Sequence, residues 1–194
     1  MNRSITQTVL SLIAVLTLNF PAMAKVQPSP INQDSSVPWS KVTEDSFEGK
    51  IVYDKDFGGF GESYAIVSSW SKQAIRLSYF WQIKEVDYYK QVKRTRSVWR
   101  NNKYEEEVYW DREPVYKYSW KSKNPEYIMF SINGQLYEYQ GGKISDDLMS
   151  ALANAPSTNL KIRLVWSDGS TTDATIGSGT VNAWKTIYQM NSQE

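Results

Sequence analysis

Apolar and polar positions alternate with a period of two along most of this chain, and that alternation predicts strands. Residues 50–54 (KIVYD) read as a short strand, followed by a glycine loop at 57–61. Residues 63–70 and 73–81 read as two strands joined at Ser71-Lys72, with Ile75, Leu77, Tyr79 and Trp81 on one face and Arg76 and Ser78 on the other. Residues 127–132 and 135–139 form a tight hairpin through Asn133-Gly134, a dipeptide suited to the positive φ angles of a type I′ turn. Residues 160–166 and 170–176 form another around Ser167-Asp168-Gly169, with Leu160, Ile162, Leu164 and Trp166 inward and Lys161 and Arg163 outward.

The longest patterned stretch is 79–120, in which a basic block (Lys90, Lys93, Arg94, Arg96, Arg100, Lys103) precedes an acidic one (Glu105, Glu106, Glu107, Asp111, Glu113). It predicts a long hairpin in the middle of an antiparallel sheet, turning at Asn101-Asn102, because asparagine tolerates the left-handed region. That turn sets Trp99 opposite Tyr104, Thr95 opposite Val108 and Lys93 opposite Trp110. On the other face it sets Arg96 opposite Glu107 and Arg94 opposite Tyr109, so the basic row answers the acidic one. After Pro114, placed at a strand start, 115–120 continues the meander.

The period changes to 3.6 twice near the C-terminus. Ser145 is positioned to cap a helix whose first turn carries Asp146 and Asp147, with Leu148, Leu152 and Ala155 on one stripe and Pro156 as its stop. Thr180 is positioned to cap a second helix carrying Val181, Trp184, Ile187 and Tyr188. The predicted fold is α+β, mostly antiparallel β: a meander sheet or barrel-like form with two short C-terminal helices.

The N-terminus predicts export. Arg3, the apolar run 9–20, Pro21 and the small-x-small sequence Ala22-Met23-Ala24 have the order of a signal peptide, giving 1–24 as signal and Lys25 as the mature start. The run is shorter than the roughly 20 apolar residues that span a bilayer, so no transmembrane anchor is expected after cleavage. Residues 25–48, rich in Pro, Ser and Gln, read as a linker and domain entry, and 49–194 as a single β-rich globular domain. A signal without any cysteine suits a bacterial envelope protein, in the periplasm or outside the cell, or the thylakoid lumen if the source is photosynthetic.

Composition excludes more chemistry than it suggests. The chain has no histidine and no cysteine, which removes Ser-His-Asp and Cys-His nucleophiles and zinc, copper or haem ligation through those side chains. No cofactor or metal is expected. Subtracting Arg3 from the 22 basic residues leaves 21 against 21 acidic, so no net field attracts nucleic acid. Ser69-Trp70-Ser71-Lys72 spells S-x-x-K without the S-D-N and K-T-G elements that the penicillin-binding enzymes need, and reads as coincidence. Glu105 and Glu107 share a strand face, as a carboxylate pair for glycoside hydrolysis would, but Arg96 opposite favours a structural ion pair. Asp54 and Asp56 open like a calcium loop, but the pattern fails at Gly58 and Ala65. Glu62 could close a carboxylate cluster with them, though a solvated turn is favoured, and the 176–181 junction lacks a third glycine or Walker lysine for phosphate.

What remains is an aromatic surplus: 14% of the residues, eight of them tryptophan. Because strands alternate, the aromatics of 79–120 cannot all face one core. Either a layer of helices covers the second face, the favoured expectation, or it is a docking surface with Trp99, Tyr104, Trp110 and Tyr118 as its ligand-binding residues. The expected function is an exported bacterial envelope protein without catalysis, binding an unknown protein, glycan or small apolar ligand through its aromatic-rich sheet. A barrel-type carrier of a small apolar ligand, and a small carboxylate-dependent hydrolase of envelope polymers, are the alternatives.

Overall fold

The computed structural model describes residues 25–57 and 64–189. The expected signal sequence and most of the glycine loop, with Glu62, lie outside them. Among the described residues, two antiparallel sheets and two helices make the fold, and the sheets do not close into a barrel.

The first sheet has the order β1 (Val42–Asp45), β2 (Gly49–Phe57), β3 (Tyr64–Ser71), β4 (Ile75–Arg100), β5 (Lys103–Lys123). The second has the order β7 (Gln135–Tyr139), β6 (Tyr127–Ile132), β8 (Leu160–Val165), β9 (Thr171–Ile176). α1 (Asp146–Ala153) links β7 to β8, and α2 (Ser178–Tyr188) follows β9. The β6–β7 turn falls at Asn133-Gly134, both with positive φ, as their chemistry predicts.

The core lies where the inward stripes converge. Trp70 of β3, fully buried, meets Trp184 of α2 at 4.6 Å between ring centroids and Phe130 of β6 at 6.1 Å. One side chain thus joins the first sheet to the second and to a helix. Ile75 and Leu77 from β4, Ile162 and Leu164 from β8 and Leu148 and Leu152 from α1 belong to the same cluster. Burying each such side chain is worth about 1.5–3 kcal/mol. Ser145 caps α1 by accepting from the Leu148 amide at 3.3 Å, as the sequence predicts.

Four details depart from the sequence pattern. Val26, inside the expected linker, is fully buried in the core; the Leu77 amide donates to the Gln27 carbonyl at 3.0 Å, and Gln27 bridges in parallel to Arg76. One apolar residue has no period to betray it. Thr180 does not cap α2: Gly177 holds that position, and the buried Thr180 hydroxyl donates to Asp54 of β2. Pro114 lies inside β5, opposite Tyr89, and does not begin a strand.

The fourth departure is the largest. The long hairpin is not in the middle of the sheet. β3 follows β4 only as far as the Tyr64–Trp81 pair, and among the described residues only β5 pairs with β4 beyond it. Residues 82–100 and 103–120 leave the body as a two-stranded arm about 60 Å long at the usual rise of about 3.3 Å per residue.

Candidate functional site

The arm is built by its turn. Asn101 and Asn102 have φ of 49° and 60°, a type I′ conformation that twists with the strands instead of splaying them. In such a turn the Arg100 carbonyl accepts from the Lys103 amide, so Arg100–Lys103 is a hydrogen-bonded pair and Trp99–Tyr104 a non-hydrogen-bonded one. The alternation continues to Tyr89–Pro114, also non-hydrogen-bonded, so Pro114 forfeits no bond to β4. Asp87 is then an extra residue between the Val86–Tyr116 and Tyr88–Val115 pairs, a bulge that shifts the parity of β4.

Directly opposed residues of an antiparallel pair share a face, so the register sorts every side chain. One face carries Trp99–Tyr104, Ser97–Glu106, Thr95–Val108, Lys93–Trp110, Gln91–Arg112, Tyr89–Pro114, Val86–Tyr116, Lys84–Tyr118 and Gln82–Trp120, with every ring but two of the arm among them. All four residues expected to bind ligand, Trp99, Tyr104, Trp110 and Tyr118, stand on it, with exposures of 56, 74, 66 and 58%. They form a line from tip to base and not a pocket. Tyr89, Tyr116 and Trp120, also exposed, extend the line. Tyr88 and Tyr109 lie on the other face, a division set by register and the Asp87 bulge.

The opposite face is ionic. Arg96 donates twice to the Glu107 carboxylate, at 2.8 and 3.0 Å, and Arg100 adds a third bond at 3.2 Å. Hydrogen bonds and charge from Arg96, then Arg100, hold the Glu107 carboxyl below its ordinary pKa. Arg94 meets Asp111 at 3.2 Å, Lys90 meets Glu113 at 3.3 Å and Lys103 meets Glu105 at 3.0 Å. Exposed ion pairs of this kind contribute little to stability because solvent screens them, so their row aligns the two strands more than it stabilises them. This face continues the core-packed side of the first sheet, through Trp81 and Tyr79; the aromatic face continues the side turned away.

Among the described residues no layer of helices covers the arm, contrary to the favoured expectation. Both helices pack on the body: α2 touches β1, β2 and β3, and α1 touches α2. Several of the arm's rings contact one another or a cation. Trp99 and Tyr104 meet edge to face at 4.8 Å, and the Lys84 ammonium sits 3.8 Å from the Tyr116 ring centre. Comparison with family models, with curated proteins and with solved structures returns no match for this chain.

The body offers less. Ser69 lies buried within β3, not at a helix start, and the neighbouring Ser71 hydroxyl donates to Glu48. At the start of α2 the Ser178 amide is taken by Asn159 at 2.9 Å, and a side chain at Gly179 would press on Ser40. Asp54 accepts from Thr180, Asp56 accepts from the Thr175 amide at 3.2 Å, and no group of three potential metal ligands occurs among the described residues. No helix among them is long and apolar enough to cross a membrane. Three surface hollows among the described residues, of 220 to 440 Å³, lie on the body.

Proposed function

We propose that this chain is an exported, non-catalytic binding protein of the bacterial envelope, and that the aromatic face of the arm is its binding surface. The observation that carries the reading is the placement of Trp99, Tyr104, Trp110 and Tyr118 on one exposed face, with the charges of the opposite face paired among themselves. Rings at alternate positions of one strand stand about 7 Å apart, as in 116, 118 and 120. Such a line suits an extended partner, a glycan chain or a polypeptide segment, better than a compact molecule. A carrier of small apolar ligands would need an enclosed interior, which two unclosed sheets do not supply.

The test is the intrinsic tryptophan fluorescence of the exported protein, titrated separately with envelope glycan fragments and with lipid vesicles. Saturable change with glycan, weakened about tenfold by Trp110→Ala or Tyr118→Ala, supports the reading. Unchanged binding in both variants removes the aromatic face from it. Export is checked by mass, where a protein beginning at Lys25 is expected and one retaining Met1 is not.

A further inference from the structure

The arm has two strand edges, and each is chemically addressed. β4 carries Arg94 and Arg96 on its ionic face; β5 carries Glu107 and Asp111 on the same face. The backbone groups of Thr95 and Val108 belong to a non-hydrogen-bonded pair, so their N–H and C=O point away from each other and out of the two edges. Among the described residues no strand takes those groups. An unpaired edge of this length is a template for another strand.

We propose that the occupant is a second copy of this chain, joined head to tail: the β4 edge of one arm pairs with the β5 edge of the next, arms side by side and pointing the same way. This pairing can repeat the register found within the arm, with Thr95 against the neighbour's Val108 and Arg96 beside the neighbour's Glu107. A basic row then meets an acidic row at every step. The two-fold alternatives fail on charge, because β4 against β4 sets arginine rows together and β5 against β5 sets carboxylate rows together, and like charges directly opposed are destabilising. A head-to-tail contact leaves one free edge of each kind at the ends, so assembly proceeds past the dimer to a closed ring or an open ladder. The inference goes beyond the binding reading and rests on the edges, not on the aromatic face; Trp110→Ala leaves assembly unchanged while weakening ligand.

Sedimentation velocity on the exported protein, at low and high salt over a concentration series, is the first test. Species larger than a dimer at low salt, receding as salt screens the rows, are expected; a monomer throughout overturns the proposal. Two variants then read the geometry. Val108→Pro removes an outward amide from the β5 edge, and Thr95→Pro does the same on β4, neither breaking a bond within the arm; Pro114 already occupies such a position. Each variant alone is expected to be monomeric, and their equimolar mixture to give a dimer that grows no further. Self-association of either variant alone, or a mixture that stays monomeric, overturns head-to-tail pairing. Amide exchange on the wild-type protein gives the same answer without substitution: the outward amides of Thr95 and Val108 become protected as concentration rises, and equal exchange at all concentrations overturns the proposal.

Discussion

The Trp99 and Tyr104 rings meet edge to face, 4.8 Å between centroids, across the last pair of side chains before the turn that points into solvent on the aromatic face. Each ring is still more than half exposed. The pair is far from the core, so its worth of about 0.5–1.5 kcal/mol is local. Trp99→Ala is expected to speed amide exchange at 97–106 several-fold and to leave the melting temperature of the body unchanged. A lowered melting temperature would place the tip inside the cooperative unit.

The arm as a whole should be removable. No residue from 80 to 127 belongs to the buried core cluster, whose nearest members on either side are Leu77 and Ile128. Ile83 and Ser119 are directly opposed and, by the same alternation, a hydrogen-bonded pair as a type I′ turn requires, so deleting 84–118 and joining them through Asn-Gly leaves a hairpin of ordinary length. The shortened protein is expected to fold with the body's melting temperature within a few degrees of the full chain, and to lose fluorescence-detected binding. Thermal melts by near-ultraviolet circular dichroism, which reports the packed Trp70 and Trp184, would read it.

That separability explains what the sequence could and could not convey. Asn101-Asn102 and Asn133-Gly134 fix two registers by local backbone chemistry, and both hairpins pair as read. Period-two alternation also separates the aromatic from the ionic face near the tip. Alternation does not say whether a third strand lies alongside, because a strand flanked on both sides and one on a free arm have the same period. Hence residues 82–120 read as the middle of a sheet. The Asp87 bulge is likewise silent, since one extra residue in a polar stretch leaves no mark. Near the other end, the burial of Val26 depends on a distant groove beside β4 that only the assembled sheet creates.

Asp54 predicts a pH dependence of stability. Burial, reinforced by the neighbouring Asp56, raises its pKa to about 6, against the opposing hydrogen bonds from Thr180 and the Lys55 amide. The folded protein then holds this proton more tightly than the unfolded chain, whose ordinary value is 3.8. Stability from this group is therefore full below about pH 4 and lost as pH rises to about 6, with no further change above. Asp54→Asn keeps an acceptor for Thr180 without the buried charge. It is expected to flatten that slope and to add on the order of 1–3 kcal/mol at pH 7. Asp45, Asp168 and Asp173 have lowered pKa values, so they act with the opposite sign and below about pH 4. Urea unfolding at steps between pH 4 and 7 separates the windows; an unchanged slope in Asp54→Asn would remove the assignment.

Tyr139 gives the sharpest test of how the body is held together. It belongs to β7 in the second sheet, yet its hydroxyl accepts from the amide of Ile75, at the start of β4 in the first, at 3.1 Å. The same hydroxyl donates to the Gly142 carbonyl at 2.7 Å, and burial raises its pKa above that of an ordinary tyrosine. Tyr139→Phe keeps the ring and its packing but leaves the Ile75 amide without that acceptor, at a residue with no exposure. Stranding a buried backbone donor costs about 1–3 kcal/mol, and each kcal/mol lowers the melting temperature of a chain this size by about 2–4 °C. Tyr118→Phe, which removes a hydroxyl from the exposed face of the arm, is the matched control and should not move it. A melting temperature equally unaffected by both changes would mean that apolar burial around Trp70 joins the sheets without help from this bond.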